Sequence, residues 1–91
     1  MKNIITVTHT VKDYRFWKGK FDENENQRQR NGIRTVDTFV DAEDENRVTV
    51  LLEVSDLTIF KEFINSPDLR ALMTQAGVVS NPEVKIMVSK N

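Results

Sequence analysis

The feature that most constrains the fold is a change of hydrophobic period shortly after residue 10. Residues 3–10 are rich in β-branched side chains, which favour the pleated surface of a strand. After Asp13, a good helix N-cap, Tyr14, Trp17 and Phe21 recur at helical spacing. A strand followed at once by an amphipathic helix predicts a fold in which helices pack on a sheet.

The next part of the chain predicts a hairpin of two strands. We expect the first helix to run to about Arg30 and to end at Gly32, because glycine adopts the left-handed conformation at a helix end without a Cβ penalty. Residues 33–40 and 47–54 read as strands, and the acidic residues 41–46 between them read as a solvated turn.

A second helical region and a last strand complete the predicted elements. Asp56 is the expected N-cap, and Ser66 followed by Pro67 indicates that the helix restarts there. Gly77 ends this region, and residues 83–88 form the last strand. The expected inward stripes are Leu57, Phe60, Phe63 and Ile64, followed by Leu69, Leu72, Met73 and Ala76.

The order β-α-β-β-α-β in 91 residues predicts one α+β domain, residues 1–91, with a ferredoxin-like layout. Four antiparallel strands would carry helices on one face only. The open face would mix apolar and polar residues, namely Ile4, Val36, Val40 and Leu51 with Thr6, Thr8, Thr49 and Glu53. A second copy of the sheet is the simplest cover for such a face, so we expect a homodimer.

Composition argues against several classes of function. Thirteen basic and fourteen acidic residues give a net charge of -1, which offers no electrostatic footprint for nucleic acid or anionic membrane. One histidine and no cysteine cannot form the usual zinc sites or a disulfide. No apolar run approaches the ~20 residues of a membrane span. We therefore expect a cytoplasmic protein with no metal, cofactor, nucleic-acid or membrane partner.

One face of the first predicted helix carries an unusual stripe at steps of three and four residues, made up of Tyr14, Trp17, Phe21, Asn24 and Arg28. Three aromatic residues followed by an amide and a guanidinium predict a ligand pocket that is polar at one end. In such a pocket, replacing Arg28 by alanine should change stability by no more than about 0.5 kcal/mol. The alternative is that the aromatic residues are core, the helix end protrudes into water and Arg28 complements the helix dipole.

His9 is the only histidine, so it is the only side chain whose unperturbed pKa lies near neutrality. It shares strand phase with Ile5 and Val7, so it points to the face that they occupy. On the helix-covered face it would reach the same pocket and be the candidate catalytic base. The alternative is a strand-end histidine that is half exposed or tied to a neighbouring carbonyl group.

A set of short segments lies along nearly the whole chain: Asp13-Tyr14, Trp17, Phe21-Asp22, Arg28, Gly32, Ser66-Pro67-Asp68-Leu69, Ala76-Gly77-Val78 and Pro82. Together they resemble small bacterial proteins of the dimeric α/β-barrel superfamily, nearest the antibiotic-biosynthesis-monooxygenase-like group. The resemblance implies two ferredoxin-like subunits whose sheets face each other. It also implies a pocket in each subunit between helices and sheet.

The resemblance further implies a small-molecule function. Some relatives oxidise aromatic polyketides with dioxygen and no cofactor, which needs an aromatic pocket, an acidic substrate and a base. Tyr14, Trp17, Asn24 and His9 are the residues of this chain that could supply such parts. We expect a pocket protein, and within that class a cofactor-independent monooxygenase-like enzyme acting on a small aromatic or acidic compound. The alternative is a non-catalytic dimeric module that binds a ligand or is associated with stress.

Overall fold

A computed structural model describes residues 2–90. The elements are β1 (Asn3–Thr10), α1 (Tyr14–Glu23), α2 (Glu25–Arg30), β2 (Ile33–Asp41), β3 (Asp44–Val54), α3 (Leu57–Ile64), α4 (Pro67–Gln75) and β4 (Glu83–Val88). The strands form one antiparallel sheet in the order β2-β3-β1-β4, with the helices on one face. The predicted ferredoxin-like α+β layout is therefore confirmed. No helix within residues 2–90 is long and apolar enough to cross a membrane.

The hairpin between β2 and β3 is tighter than the acidic sequence suggested. Strand pairing continues to Asp41 and Asp44, so only two residues remain for the turn instead of the six predicted. The carboxylate of Asp41 accepts a hydrogen bond from the Glu43 amide at 2.8 Å, and that of Asp44 accepts from the Asn46 amide at 2.9 Å. These acidic side chains therefore hold the end of the hairpin while they remain in water.

The predicted first helix is in fact two helices joined at Asn24, which has φ -95° and ψ 11°. The Asn24 side-chain amide donates to the carbonyl oxygen of Lys20 at 3.1 Å, the acceptor that its own backbone N–H would use in a regular helix. Its backbone N–H donates to Phe21 instead, at 3.2 Å. The prediction of one helix to Arg30 was wrong because an asparagine side chain competes with the backbone for this bond.

A bulge at Val36 shifts the phase of β2. Thr35 and Asp37 pair with adjacent residues of β3, so Val36 has no residue opposite it. Beyond the bulge, Val40 pairs with buried Val48 and shares its helix-side face. The expectation that Val40 lies on the open face was therefore wrong. It assumed that side chains alternate regularly along β2, and the extra residue Val36 reverses the faces beyond it.

The open face of the sheet is mixed in character, as predicted for its members on β1 and β3. The side chains that alternate away from the buried residues include Ile4, Thr6, Thr8, Phe39, Thr49, Leu51, Glu53 and Met87. Thr8 and Thr49 share a hydrogen bond at 2.9 Å between their hydroxyl groups. Phe39 and Met87 are 49% and 44% exposed, so a substantial part of this face is apolar surface in contact with water.

The core lies between the sheet and the helices. Its largest fully buried side chains include Phe60, Ile5 and Ile33. Two residues that could carry charge are buried with them, His9 at 4% and Arg28 at 6% exposure. Polar groups of this kind are almost never buried without a partner or a function, so they mark the region where a site is expected.

Candidate functional site

A cavity of about 100 Å³ lies between the helix-side face of the sheet and the helices. Its walls are Val7, His9, Trp17, Lys20, Phe21, Asn24, Arg28, Ile33, Val50, Leu52, Phe60, Phe63, Ile64, Leu69, Leu72, Met73 and Ala76. All but four of these side chains are apolar. An apolar cavity of about 150 Å³ can hold benzene. This one is smaller but opens to solvent, so it can take up a single ring in part.

The cavity brings together five of the six residues that the sequence singled out. His9 reaches it from β1, Trp17 and Phe21 from α1, Asn24 from the helix junction and Arg28 from α2. Tyr14 is not part of the wall. It begins α1, where it packs against the core with its ring centre 6.0 Å from that of Trp17.

Stacked side chains form one wall of the cavity. The His9 ring meets the Trp17 indole edge-on, with centroids 5.5 Å apart and planes at 74°. Trp17 stacks on Phe21 at 4.9 Å and 25°, and the guanidinium of Arg28 lies over the Phe21 ring. Edge-on and stacked contacts of this kind are favourable for aromatic pairs. The wall therefore holds the histidine ring against an indole that is itself fixed.

His9 is a buried imidazole with no hydrogen bond to another residue within residues 2–90. Its Nδ1 is fully enclosed by protein atoms. Burial lowers the pKa of His9, an effect that the Arg47 guanidinium reinforces and the main chain of His9 itself opposes. The ring is therefore neutral at neutral pH, with one nitrogen free to accept a proton or a hydrogen bond.

Arg28 is held by its own helix region. Its Nη1 donates to the carbonyl oxygen of Phe21 at 2.8 Å, the group that the helix break leaves without its usual partner. Nη2 donates to Glu25 at 2.6 Å, and Nε donates to Thr35 at 3.2 Å. The alternative in which the helix end protrudes into water is therefore wrong at Arg28. The expected small change in stability on removal of Arg28 assumed a loosely packed site. These hydrogen bonds show that the site is not loosely packed.

The other polar groups of the wall are an amide and an ammonium. The side-chain nitrogen of Asn24 donates to the Lys20 carbonyl, and its side-chain oxygen accepts no hydrogen bond from the described residues. Lys20 contributes mainly its stem, since its ammonium lies 3.7 Å from Glu23 and 5.7 Å from the Phe16 ring centre. Within residues 2–90 no three acidic or imidazole side chains cluster as a metal site.

Sequence reasoning missed the role of the second helical region. It gave the apolar stripes of α3 and α4 only as inward faces, whereas Phe63, Ile64, Leu69, Leu72 and Met73 are partly buried and line the cavity. The break at Ser66, which the sequence did indicate, is the signal that two short helices replace one long one. Whether two such helices close over the sheet or leave a gap depends on their packing, which periodicity does not specify.

Comparison with known proteins identifies the fold. No protein-family model and no curated protein sequence matches the chain. Among solved structures it is similar to a candidate antibiotic biosynthesis monooxygenase from Bordetella bronchiseptica, with TM-score 0.77, 14% identity and 98% of each chain covered. A cofactor-independent oxygenase from Streptomyces nogalater gives 0.72 and 13%, covering 99% of this chain and 94% of the other. A conserved protein from Methanosarcina mazei gives 0.73 and 14%, with 99% and 94% covered.

These neighbours share the ferredoxin-like fold of this chain, and similar structures include several named as antibiotic biosynthesis monooxygenases. The resemblance inferred from the sequence is therefore confirmed for the fold. At identities of 11–17% the similarity concerns architecture, and activity has to be argued from the site.

Proposed function

We propose that this protein binds a small aromatic molecule in the cavity and oxidises it with dioxygen without a cofactor. The observation that carries the proposal is the neutral, unpartnered imidazole of His9 in the wall of an apolar cavity. A neutral imidazole accepts a hydrogen bond at its unprotonated nitrogen, so a ligand in the cavity can donate a hydrogen bond to His9. We assign this contact to Nε2, because Nδ1 is fully enclosed.

The reaction follows from what this site offers. His9 would accept a proton from an acidic CH₂ group that a neighbouring phenol or carbonyl activates. The resulting anion would transfer electrons to dioxygen, and a hydroperoxide would form on the same carbon. Loss of water then leaves a carbonyl, so that CH₂ and O₂ give C=O and H₂O. The apolar wall, which includes the Trp17 indole, would pack against the ring of the substrate beside His9.

The structural neighbours support this reaction type over others. One of them is a cofactor-independent oxygenase, and it matches nearly the whole chain. Its identity to this chain is 13%, so no residue role is carried over from it. The support consists of the shared architecture together with an aromatic cavity and a single base in the present chain.

The test is oxygen consumption by the purified protein with a panel of single-ring aromatic compounds that carry an acidic CH₂ group, such as phenylacetone and its para-hydroxy derivative. We expect uptake above the rate of autoxidation, and we expect His9→Gln to abolish it while binding persists. Binding is followed by the fluorescence of Trp17, the only tryptophan. The exposed Lys12→Gln variant should behave as wild type. Oxygen uptake that is unchanged in His9→Gln would rule out this residue as the base.

A second candidate function is binding without turnover, and the lowered pKa of His9 favours it. Burial lowers the pKa of His9, which makes it a weaker base. The two charged side chains of the wall, Lys20 and Arg28, are each paired with a carboxylate, of Glu23 and Glu25 respectively. The protein would then be a ligand-binding module of the same fold. Saturable quenching of Trp17 with no oxygen uptake from any bound compound would decide for this function.

We further propose that the functional unit is a homodimer formed through the open face of the sheet. The apolar residues Phe39, Leu51 and Met87 lie there among threonines, and two of them are strongly exposed. An open sheet face with exposed apolar side chains is a candidate interface. Because the cavity lies on the opposite face, each subunit would keep a complete site.

A further inference from the structure

We propose that the cavity selects uncharged ligands that carry a hydrogen-bond donor, and that Glu25, which is not part of the cavity wall, sets this selectivity. The inference rests on the proposed binding of a small molecule in the cavity. It does not depend on whether the bound molecule is turned over. The sequence suggested aromatic and acidic ligands. The inferred selectivity retains aromatic ligands and excludes carboxylates.

The first step is that the charge of Arg28 is already neutralised. Its Nη2 lies 2.6 Å from a carboxylate oxygen of Glu25, and the Thr35 hydroxyl donates to the same oxygen at 3.4 Å. The arginine side chain is 8% exposed and the glutamate side chain 39%. An anionic ligand beside Arg28 would therefore also meet the negative charge of Glu25 a few ångströms away, and attraction and repulsion would nearly cancel.

The second step is that the other cation of the wall is directed elsewhere. The Lys20 ammonium is 3.7 Å from Glu23 and lies over the Phe16 ring, which is itself 53% exposed. Long basic side chains commonly place their stem against an apolar surface and their charge in water. No uncompensated cation therefore faces the cavity within residues 2–90, and a buried carboxylate without one is strongly disfavoured.

The third step concerns hydrogen bonding. Within residues 2–90 the wall has two acceptors without a partner, the unprotonated nitrogen of neutral His9 and the side-chain oxygen of Asn24. Three of the five N–H groups of Arg28 donate to described residues. A hydroxyl-bearing ring satisfies the acceptors without bringing a charge into the cavity. The favoured class is therefore a neutral phenol.

Calorimetric titration with three probes of matched size tests the inference at neutral pH. The probes are para-cresol, para-methylanisole, which lacks the donor, and para-toluate, which is anionic. We expect para-cresol to bind, the ether to bind about tenfold more weakly, and the carboxylate at least about 100-fold more weakly. Binding of para-toluate as tight as that of para-cresol would overturn the charge selectivity and leave the proposed pocket intact. Failure of all three probes would overturn the pocket and this inference with it.

The role of Glu25 is tested by Glu25→Gln, which removes the negative charge and leaves Arg28 in place. We expect the affinity for para-toluate to rise about tenfold or more, with that for para-cresol changed less than about threefold. Glu62→Gln is the matched control, because it makes the same change in net charge at an exposed position of α3. A folded Glu25→Gln protein with no gain in para-toluate affinity would overturn the role of Glu25. Should that variant not fold, the comparison of the three probes in the wild type still decides the charge selectivity.

Discussion

The guanidinium carbon of Arg28 lies 3.6 Å from the centre of the Phe21 ring. The same ring stacks on Trp17 at 4.9 Å, and one face of a phenyl ring cannot hold both neighbours at these distances. Phe21 is therefore held between an indole and a guanidinium. The arrangement connects α2, through Phe21 and Trp17, to the histidine on β1.

Removal of the Arg28 side chain should therefore destabilise the protein. We expect Arg28→Ala to lower the free energy of unfolding by about 2–4 kcal/mol, through the loss of a cation–π contact and three hydrogen bonds from a buried guanidinium. Arg30→Ala, an exposed change in the same helix, should stay within about 0.5 kcal/mol. Urea denaturation measures both, and equal midpoints for the two variants would contradict this account of Arg28.

Stability should fall as the pH drops below the ordinary pKa of histidine. Burial lowers the pKa of His9 in the folded state from 6.5, so between that value and the folded pKa the unfolded chain binds the proton and the folded chain does not. The free energy of unfolding then decreases by up to about 1.4 kcal/mol per pH unit over this window. Above about pH 6.5 both states are neutral at His9, and its effect vanishes.

The His9→Gln variant should lack that slope, because the chain has no other histidine. Denaturation midpoints measured across the window in both proteins provide the check. The hydrogen bond from Arg34 lowers the pKa of Glu53, so Glu53 affects the pH dependence of the unfolding free energy only as the pH falls below 4.5. A parallel slope in wild type and His9→Gln would show that the histidine is not held neutral.

Glycine is favoured at position 32 chiefly by its backbone conformation. The residue has φ +70°, and a Cβ built there would also force the Ser55 hydroxyl to rotate away. We expect Gly32→Val to lose at least about 1–2 kcal/mol. Gly19→Ala is the contrasting change, since Gly19 is in α1 and a Cβ added there would meet no atom within 4 Å. This variant should gain about 0.5–1 kcal/mol, and thermal melts of both variants separate the two glycines.

The proposed dimer predicts a mass of about twice 10.5 kDa in light scattering at micromolar concentration. Leu51→Lys places a charge on the open face of β3 and should convert the protein to monomer. Ile59→Lys, at a position on α3 that is 42% exposed, should leave the dimer intact. A wild-type protein that remains monomeric at high concentration would contradict the proposal.

Where the chain carries its own local signals, the sequence predicted the fold closely. The bounds of β1 and β4 agree with those expected, and the N-caps Asp13, Asp56 and Ser66 accept the amide hydrogen bonds that their residue types indicate. Such features depend on neighbours within a few residues. That is why strand composition and cap chemistry were sufficient to predict them.

The sequence-based predictions differ from the structure where distant or competing hydrogen-bond and pairing partners determine the local structure. At Asn24 the side chain and the backbone compete for one carbonyl, and the residue type alone does not say which prevails. Val36 is an extra residue only with respect to its pairing with β3, so the sequence of β2 alone does not reveal the bulge. The stripe from Trp17 to Arg28 does reach the cavity, but Arg28 at its polar end donates hydrogen bonds to Phe21, Glu25 and Thr35. The spacing of residues in the sequence does not reveal these hydrogen bonds.

The shortness of α2 has a consequence for how a molecule reaches the interior. Six residues are too few for a helix to persist by its own hydrogen bonds, so this segment keeps its shape chiefly through Arg28 and its contacts. Local opening begins in the segments with the fewest tertiary anchors. One side of the cavity is thus built on a segment that can fray and re-form while the sheet stays folded. Unwinding of this segment would widen the access of a ligand to the cavity, and amide hydrogen exchange at Arg28, whose N–H donates to the Asn24 carbonyl, would report the opening rate.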